Sequence, residues 1–120
     1  MEYYSDVALC LTKNGMDQLK TALAEAEKNN PDNFVAIKML IGGEPNKIDE
    51  GSGSVAFLWE GEKWYDEFDE TAFVGELMDN LPHEDFLFIR IGEDYDDIET
   101  RGSYQGNPQR VRIAREIAAD

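Results

Sequence analysis

Phe34-Val35-Ala36-Ile37-Lys38-Met39-Leu40-Ile41 is apolar at every position except Lys38, and its reading decides the order of elements along the chain. The run fits a short helix as well as a strand, and its length favours a strand. Gly42-Gly43-Glu44-Pro45-Asn46 ends it, and Asp49 to Ser54 reads as a Gly/Ser-rich loop. Beyond that loop, Val55, Phe57 and Trp59 alternate with Ala56 and Leu58, so both faces are apolar and the strand is expected at the centre of a sheet. On the N-terminal side, Met16, Leu19, Ala22, Leu23 and Ala26 recur at helical spacing, with Thr12 as the cap, Gly15 weakening the first turn and Asn29-Asn30-Pro31 as the stop. Before that helix, Val7, Leu9 and Leu11 alternate with Ala8 and Cys10 in the pattern of a buried strand.

Further along, Asp69 is a good N-cap, Glu70 suits the positive first turn, and Phe73, Val74, Leu77, Met78 and Leu81 form one stripe that ends before Pro82. Asp85 to Gly92 follows as a second central strand. Ile98 to Tyr104 and Arg110 to Ile117 read as further strands or a terminal helix, with Asn107-Pro108 a fair helix start and Val111 and Ile113 alternating like a strand. The expectation is one α+β domain over residues 1–120: an antiparallel sheet of four to five strands with two or three helices packed on it. If residues 34–41 form a strand, the order β-α-β-β-α-β with a C-terminal extension is the ferredoxin-like arrangement, which hosts many unrelated functions.

Charge separates this chain from an ordinary small domain. Its 120 residues carry 26 acidic and 11 basic side chains, a formal net charge of −15, while 42% hydrophobic residues argue for a folded core. The excess is local: residues 44–99 hold eighteen acids against Lys47, Lys63 and Arg90. Its densest stretches run from Glu60 to Glu70 and from Glu93 to Glu99, interleaved with Trp64, Tyr65, Phe68 and Tyr95. The interleaving marks folded chain rather than an acidic tail. Arg101, Arg110, Arg112 and Arg115 form a small basic cluster, better suited to pairing with the acids than to binding DNA. Direct nucleic-acid binding is therefore not expected. No membrane span or signal peptide is read, and a single Cys10 fits a reducing compartment, so the expected location is the cytoplasm.

Motifs for chemistry are sparse. His83 lies between a helix and a strand without partners at triad spacing, and Cys10 sits on a strand expected to be buried. No phosphate-binding glycine loop is present. Glu93-Asp94-Tyr95-Asp96-Asp97-Ile98-Glu99 has oxygen ligands of the type that hold Mg²⁺ or Ca²⁺, but a nuclease also needs basic groups for phosphates, and only Arg90 is near. No catalytic residue, metal or cofactor is assigned.

A folded acidic surface competes for the Lys/Arg channel of a protein evolved to bind the phosphate backbone. On this reading the partner is a basic nucleic-acid-binding protein. The contact residues expected from charge counting are Glu60, Glu62, Trp64, Tyr65, Asp66, Glu67, Asp69, Glu70, Glu93, Asp94, Asp96, Asp97 and Glu99, with the two aromatics as apolar anchors. The alternative is an interaction module whose acidity serves solubility and whose contact surface is aromatic.

Tyr3-Tyr4-Ser5-Asp6-Val7-Ala8-Leu9, the block from Trp59 to Tyr65, and Phe88-Ile89-Arg90-Ile91-Gly92-Glu93-Asp94 with Asp96-Asp97-Ile98-Glu99 resemble small phage or prophage proteins of undefined activity. Size and acidity also resemble phage-encoded anti-restriction and anti-CRISPR proteins that act as DNA mimics. That resemblance implies a non-enzymatic inhibitor of a host defence nuclease or effector complex. It carries no residue role, because those proteins share no sequence pattern.

Overall fold

The computed structural model describes residues 2–104 and 106–113. Its centre is β1 (Ser5–Leu11), where Leu9, Cys10 and Leu11 are fully buried. Both edges of β1 are paired antiparallel. Leu9 faces Phe57 of β3 (Ser54–Glu62) on one side and Phe88 of β4 (Phe86–Gly92) on the other. The short β2 (Lys47–Asp49) extends the sheet beside β3, and β5 (Ile98–Gly102) extends it beside β4, giving the order β2-β3-β1-β4-β5. All pairings are antiparallel.

Strand alternation sends Val7, Leu9, Leu11, Val55, Phe57, Phe86 and Phe88 to one face, where they meet Leu19, Ile37, Ile41, Val74 and Leu77 of three helices, α1 (Lys13–Asn29), α2 (Pro31–Ile41) and α3 (Asp69–Asp79). Each fully buried Leu here contributes about 1.5–3 kcal/mol of transfer free energy. Cys10, Ala56, Leu87 and Ile89 form a smaller cluster on the opposite face, partly covered by Tyr104 and Val111.

Residues 34–41 are helix, which corrects the expected strand. Pro31 at the first helical position, the Asn30 side chain accepting from the Asn33 N–H at 3.4 Å, and Asp32 in the first turn all start a helix here, and Ile37 and Ile41 then fall on the buried side. The β-α-β-β-α-β order survives because β2 lies in the stretch 47–49, where no strand was expected. The helix-linked pairs β1/β2 and β3/β4 are each split by one strand of the other pair, which is the ferredoxin-like topology with α2 inserted and β5 added. Two smaller corrections concern caps and the C-terminus. Asp69 is inside α3 rather than its cap, since Phe68 holds that position and Thr71 bonds back to the carbonyls of Phe68 and Tyr65. Residues 106–113 carry neither helix nor strand; Asn107 is buried and its side chain accepts from the Val111 N–H. The rest of the expected terminal element, residues 114–117, lies outside the described residues.

Thr12 caps α1 as expected, accepting from the Gly15 N–H at 3.1 Å. Gly15 itself has a packing role. A Cβ there would stand 2.9 Å from the Asp85 carbonyl oxygen and 3.2 Å from Leu11 side-chain atoms. Gly→Ala in a helix ordinarily stabilises by about 0.5–1 kcal/mol, whereas overpacking costs about 1–3 kcal/mol. Gly15→Ala is therefore expected to lower the urea-unfolding free energy by about 1 kcal/mol or more; an increase would show that the α1 start has slack.

Candidate functional site

Antiparallel pairing brings the start of β1, the ends of β3 and β4, and the start of β5 to one end of the sheet: Ser5 faces both Glu62 and Gly92, and Ile91 faces Ile98. The two acidic stretches are the segments that leave this end. Residues 60–70 close β3 and enter α3, and residues 93–97 turn from β4 to β5. With Glu2 and Asp6 from the N-terminal arm and β1, thirteen carboxylates collect here (Glu2, Asp6, Glu60, Glu62, Asp66, Glu67, Asp69, Glu70, Glu93, Asp94, Asp96, Asp97 and Glu99) against Lys63 and Arg90.

The two stretches meet across a groove of about 520 Å³ lined by Tyr3, Trp64, Tyr65, Asp66, Glu67, Arg90, Asp97 and Glu99. Tyr3 joins them. Its N–H donates to the Tyr65 hydroxyl at 2.8 Å, its own hydroxyl donates to Asp97 Oδ2 at 2.7 Å, and the Tyr3 hydroxyl oxygen accepts from the Asp94 N–H at 3.1 Å. Tyr4 adds a link from its N–H to Glu93 Oε1 at 3.3 Å, and Glu2 accepts from Lys63 at 2.6 Å. Gly92 permits this closeness, because a Cβ there would overlap both the Asp97 carboxylate and the Tyr3 hydroxyl.

Arg90 is the cation on which the groove is built. It lies in phase with Phe86 and Phe88, on the face that the helices cover, and its Nη2 and Nη1 meet the two Asp97 oxygens at 2.8 and 3.1 Å, while Nε reaches Glu99 at 3.0 Å and Nη1 also donates to Ser5. The guanidinium first, and the Tyr3 hydroxyl second, hold the Asp97 carboxyl down at about 2. Asp97 raises Arg90 in turn. Asp97 and Glu99 are thus partly neutralised by one guanidinium. None of the other residues expected from charge counting is in an ion pair among the described residues.

Those other residues do not form one flat surface. Asp66 and Glu67 share the groove with Asp97 and Glu99, whereas Glu62 and Glu70 line a separate depression with Tyr4 and Lys63. Glu93, Asp94 and Asp96 stand exposed on the β4–β5 turn, and Glu60 is exposed near the end of β3. Asp69 faces the helical layer, beside Asn30, Asn33 and Phe73. Trp64 is half-buried, its ring 5.1 Å from Trp59 and 5.9 Å from Phe88, so it anchors the β3–α3 connection to the core while also lining the groove. Tyr65 packs at 5.1 Å on Phe68 and is likewise half-buried.

Sequence reading missed the organising residues Tyr3 and Arg90. A signal existed for Arg90: it is the lone charge in phase with two phenylalanines on a central strand. For Tyr3 there was none, since its partners are 62 and 94 residues away. Cys10 is buried, and desolvation pushes its thiol up to about 11, so it is not a ready thiolate. His83 is exposed in a short 3₁₀ turn with its ring against Phe86. Among the described residues no group of three or more His, Cys, Asp or Glu is placed to hold a metal ion, and no helix is long and apolar enough to cross a membrane.

Asp97 gives the site a pH signature. Its folded value lies below the ordinary 3.8, so the stabilisation it supplies is complete above that value and is lost as pH falls toward about 2. Thermal melts of Asp97→Asn are expected to fall below wild type at neutral pH and to converge on it between pH 3.8 and about 2; a gap that persists unchanged at acid pH would remove the Asp97 ion pair as its cause. No protein-family model matches the chain, and neither a curated protein nor a solved structure matches it, so the site is read from its own residues.

Proposed function

We propose that this protein is a non-enzymatic inhibitor that works as a nucleic-acid mimic: its acidic pole enters the DNA- or RNA-binding channel of a basic partner, in the class of a host defence nuclease or effector complex in the cytoplasm of a phage-infected cell. The observation that supports this reading is the gathering of thirteen carboxylates from three stretches of the chain, 2–6, 60–70 and 93–99, at one end of the sheet, where the same stretches and the strands that end there supply Lys63 and Arg90 as cations among the described residues. A channel that binds B-DNA is matched to about one negative charge per 1.7 Å of axis. Carboxylates fixed on strand ends and on a helix first turn supply charge to such a channel without the ordering cost that an acidic tail would incur.

Three properties follow from the chemistry. Encounter is steered by long-range attraction and slows as salt screens it. The partner's arginines replace the counterions that the carboxylates otherwise hold. Trp64 and Tyr65 spend much of their surface inside the fold and contribute little as apolar anchors, whereas Tyr95 on the β4–β5 turn is 81% exposed and is the aromatic that an aromatic-surface reading would use.

The test begins with capture of partners from bacterial lysate at low and at high salt, followed by displacement of a labelled duplex from the captured protein. Reversal of Asp66, Glu67, Glu93, Asp94 and Asp96 to Lys is expected to weaken displacement about a hundredfold at low salt. Reversal of Glu50 and Glu84, near the other end of the sheet, is expected to change it little. Equal effects at the two ends, or displacement indifferent to salt, would overturn the proposal.

A further inference from the structure

Asp69, set apart from the polar groove, opens onto a second feature. A cleft runs along α3, with α1 as its other wall in one half of about 450 Å³ and the end of α1 together with Asn33 and Ile37 of α2 in the other half of about 270 Å³. Small side chains line it, Ala22 and Ala26 of α1 in the first half and Ala26 with Ala72 of α3 in the second, where larger ones would fill the gap. The half-buried Phe73 ring borders both halves. The walls carry Glu25 from α1 and Asp69 and Glu76 from α3, and neither half is lined by a Lys, Arg or His. Among the described residues none of the three carboxylates is in an ion pair.

α1 runs toward the acidic pole and α3 runs away from it, so the Asp69 mouth of the cleft lies at that pole and the Asn80 end lies away from it. We propose that this cleft is a docking site for an arginine-bearing segment of the basic partner, resting on the mimic reading above and extending its contact surface along the helical layer. The complementarity is twofold. The carboxylates of α1 and α3 attract a guanidinium, and Phe73, which lines both halves, is an aromatic neighbour that Arg uses more readily than Lys. Glu25, Asp69 and Glu76 are all exposed to solvent, so an acidic segment would meet like charge there and an apolar one would desolvate the carboxylates without pairing them.

The probe is end-blocked hexa-arginine, titrated at low salt into the full chain and followed by NMR at the Ala26 and Ala72 methyls, the Phe73 ring and the backbone amides of Asp66, Glu67 and Asp94. Saturable shifts are expected at both places. Ala26→Leu fills the cleft without changing charge and is expected to abolish the Ala72 and Phe73 shifts while leaving those of the pole. Glu25→Gln with Glu76→Gln is expected to raise the midpoint at the cleft about tenfold, about 1.4 kcal/mol; this pair decides the matter if Ala26→Leu does not keep the wild-type spectrum. Shifts confined to the pole would overturn the cleft and leave the mimic reading standing, as would a cleft midpoint unchanged by the two Gln substitutions. No shift at either place would overturn both.

Discussion

Carboxylates crowded at one end of a small sheet repel one another, and the fold must supply the work of holding them there. That work comes from β1. Its Leu9, Cys10 and Leu11 are fully buried and its edges are paired on both sides, so the chain segments that carry the acids leave a framework that like-charge repulsion cannot splay. The helical layer adds to it by seating Val74, Leu77 and Met78 of α3 in the core directly behind the acidic first turn of that helix. Asp69 and Glu70 also sit where the helix dipole favours negative charge, which offsets part of their mutual repulsion.

How much of this was legible in the sequence differs by element. β1, β3 and β4 were legible as short apolar runs of strand length, rich in Val, Ile, Phe and Trp and bounded by turn residues, the signal expected of central strands apolar on both faces. The stripe from Phe73 to Leu81 likewise exposed α3. For residues 34–41 the deciding signal is the cap and not the length of the apolar run: Asn30-Pro31-Asp32, one residue before Phe34, supplies an N-cap, a proline at the first helical position and an acid in the first turn. β2 could not be read at all. Lys47-Ile48-Asp49 has one apolar residue, and it becomes a strand only because the edge of β3 is there to pair with it.

The acidic site was half legible. Charge counting located the two stretches, and the interleaved aromatics marked them as folded. Their meeting depends on which strands pair, which no local pattern encodes, and on Tyr3, whose partners are far away in sequence. Counting also treated all carboxylates alike. The fold distinguishes them: Asp97 is committed to Arg90 and Tyr3, Asp69 turns to the helices, and Glu93, Asp94 and Asp96 are left in solvent on the turn.

That distinction changes what Arg90 is for. A cation meant to neutralise the pole would stand on its rim, among the exposed acids. Arg90 instead lies beneath them with its side chain 17% exposed, its fork spent on Asp97 and Glu99 and on the Ser5 hydroxyl. Such a bidentate contact fixes the β4–β5 turn relative to β1, and Tyr3 then ties the turn to the β3–α3 connection. Two carboxylates are given up so that the remainder are held in fixed positions. For a surface that must bind through charge this is favourable, because exposed ion pairs gain little individually and the ordering of each long side chain subtracts from that gain. Acids already positioned by the backbone keep more of the Coulomb attraction as binding free energy than the same number on a flexible tail, and the rigid arrangement is what separates a folded acidic pole from a merely acidic sequence.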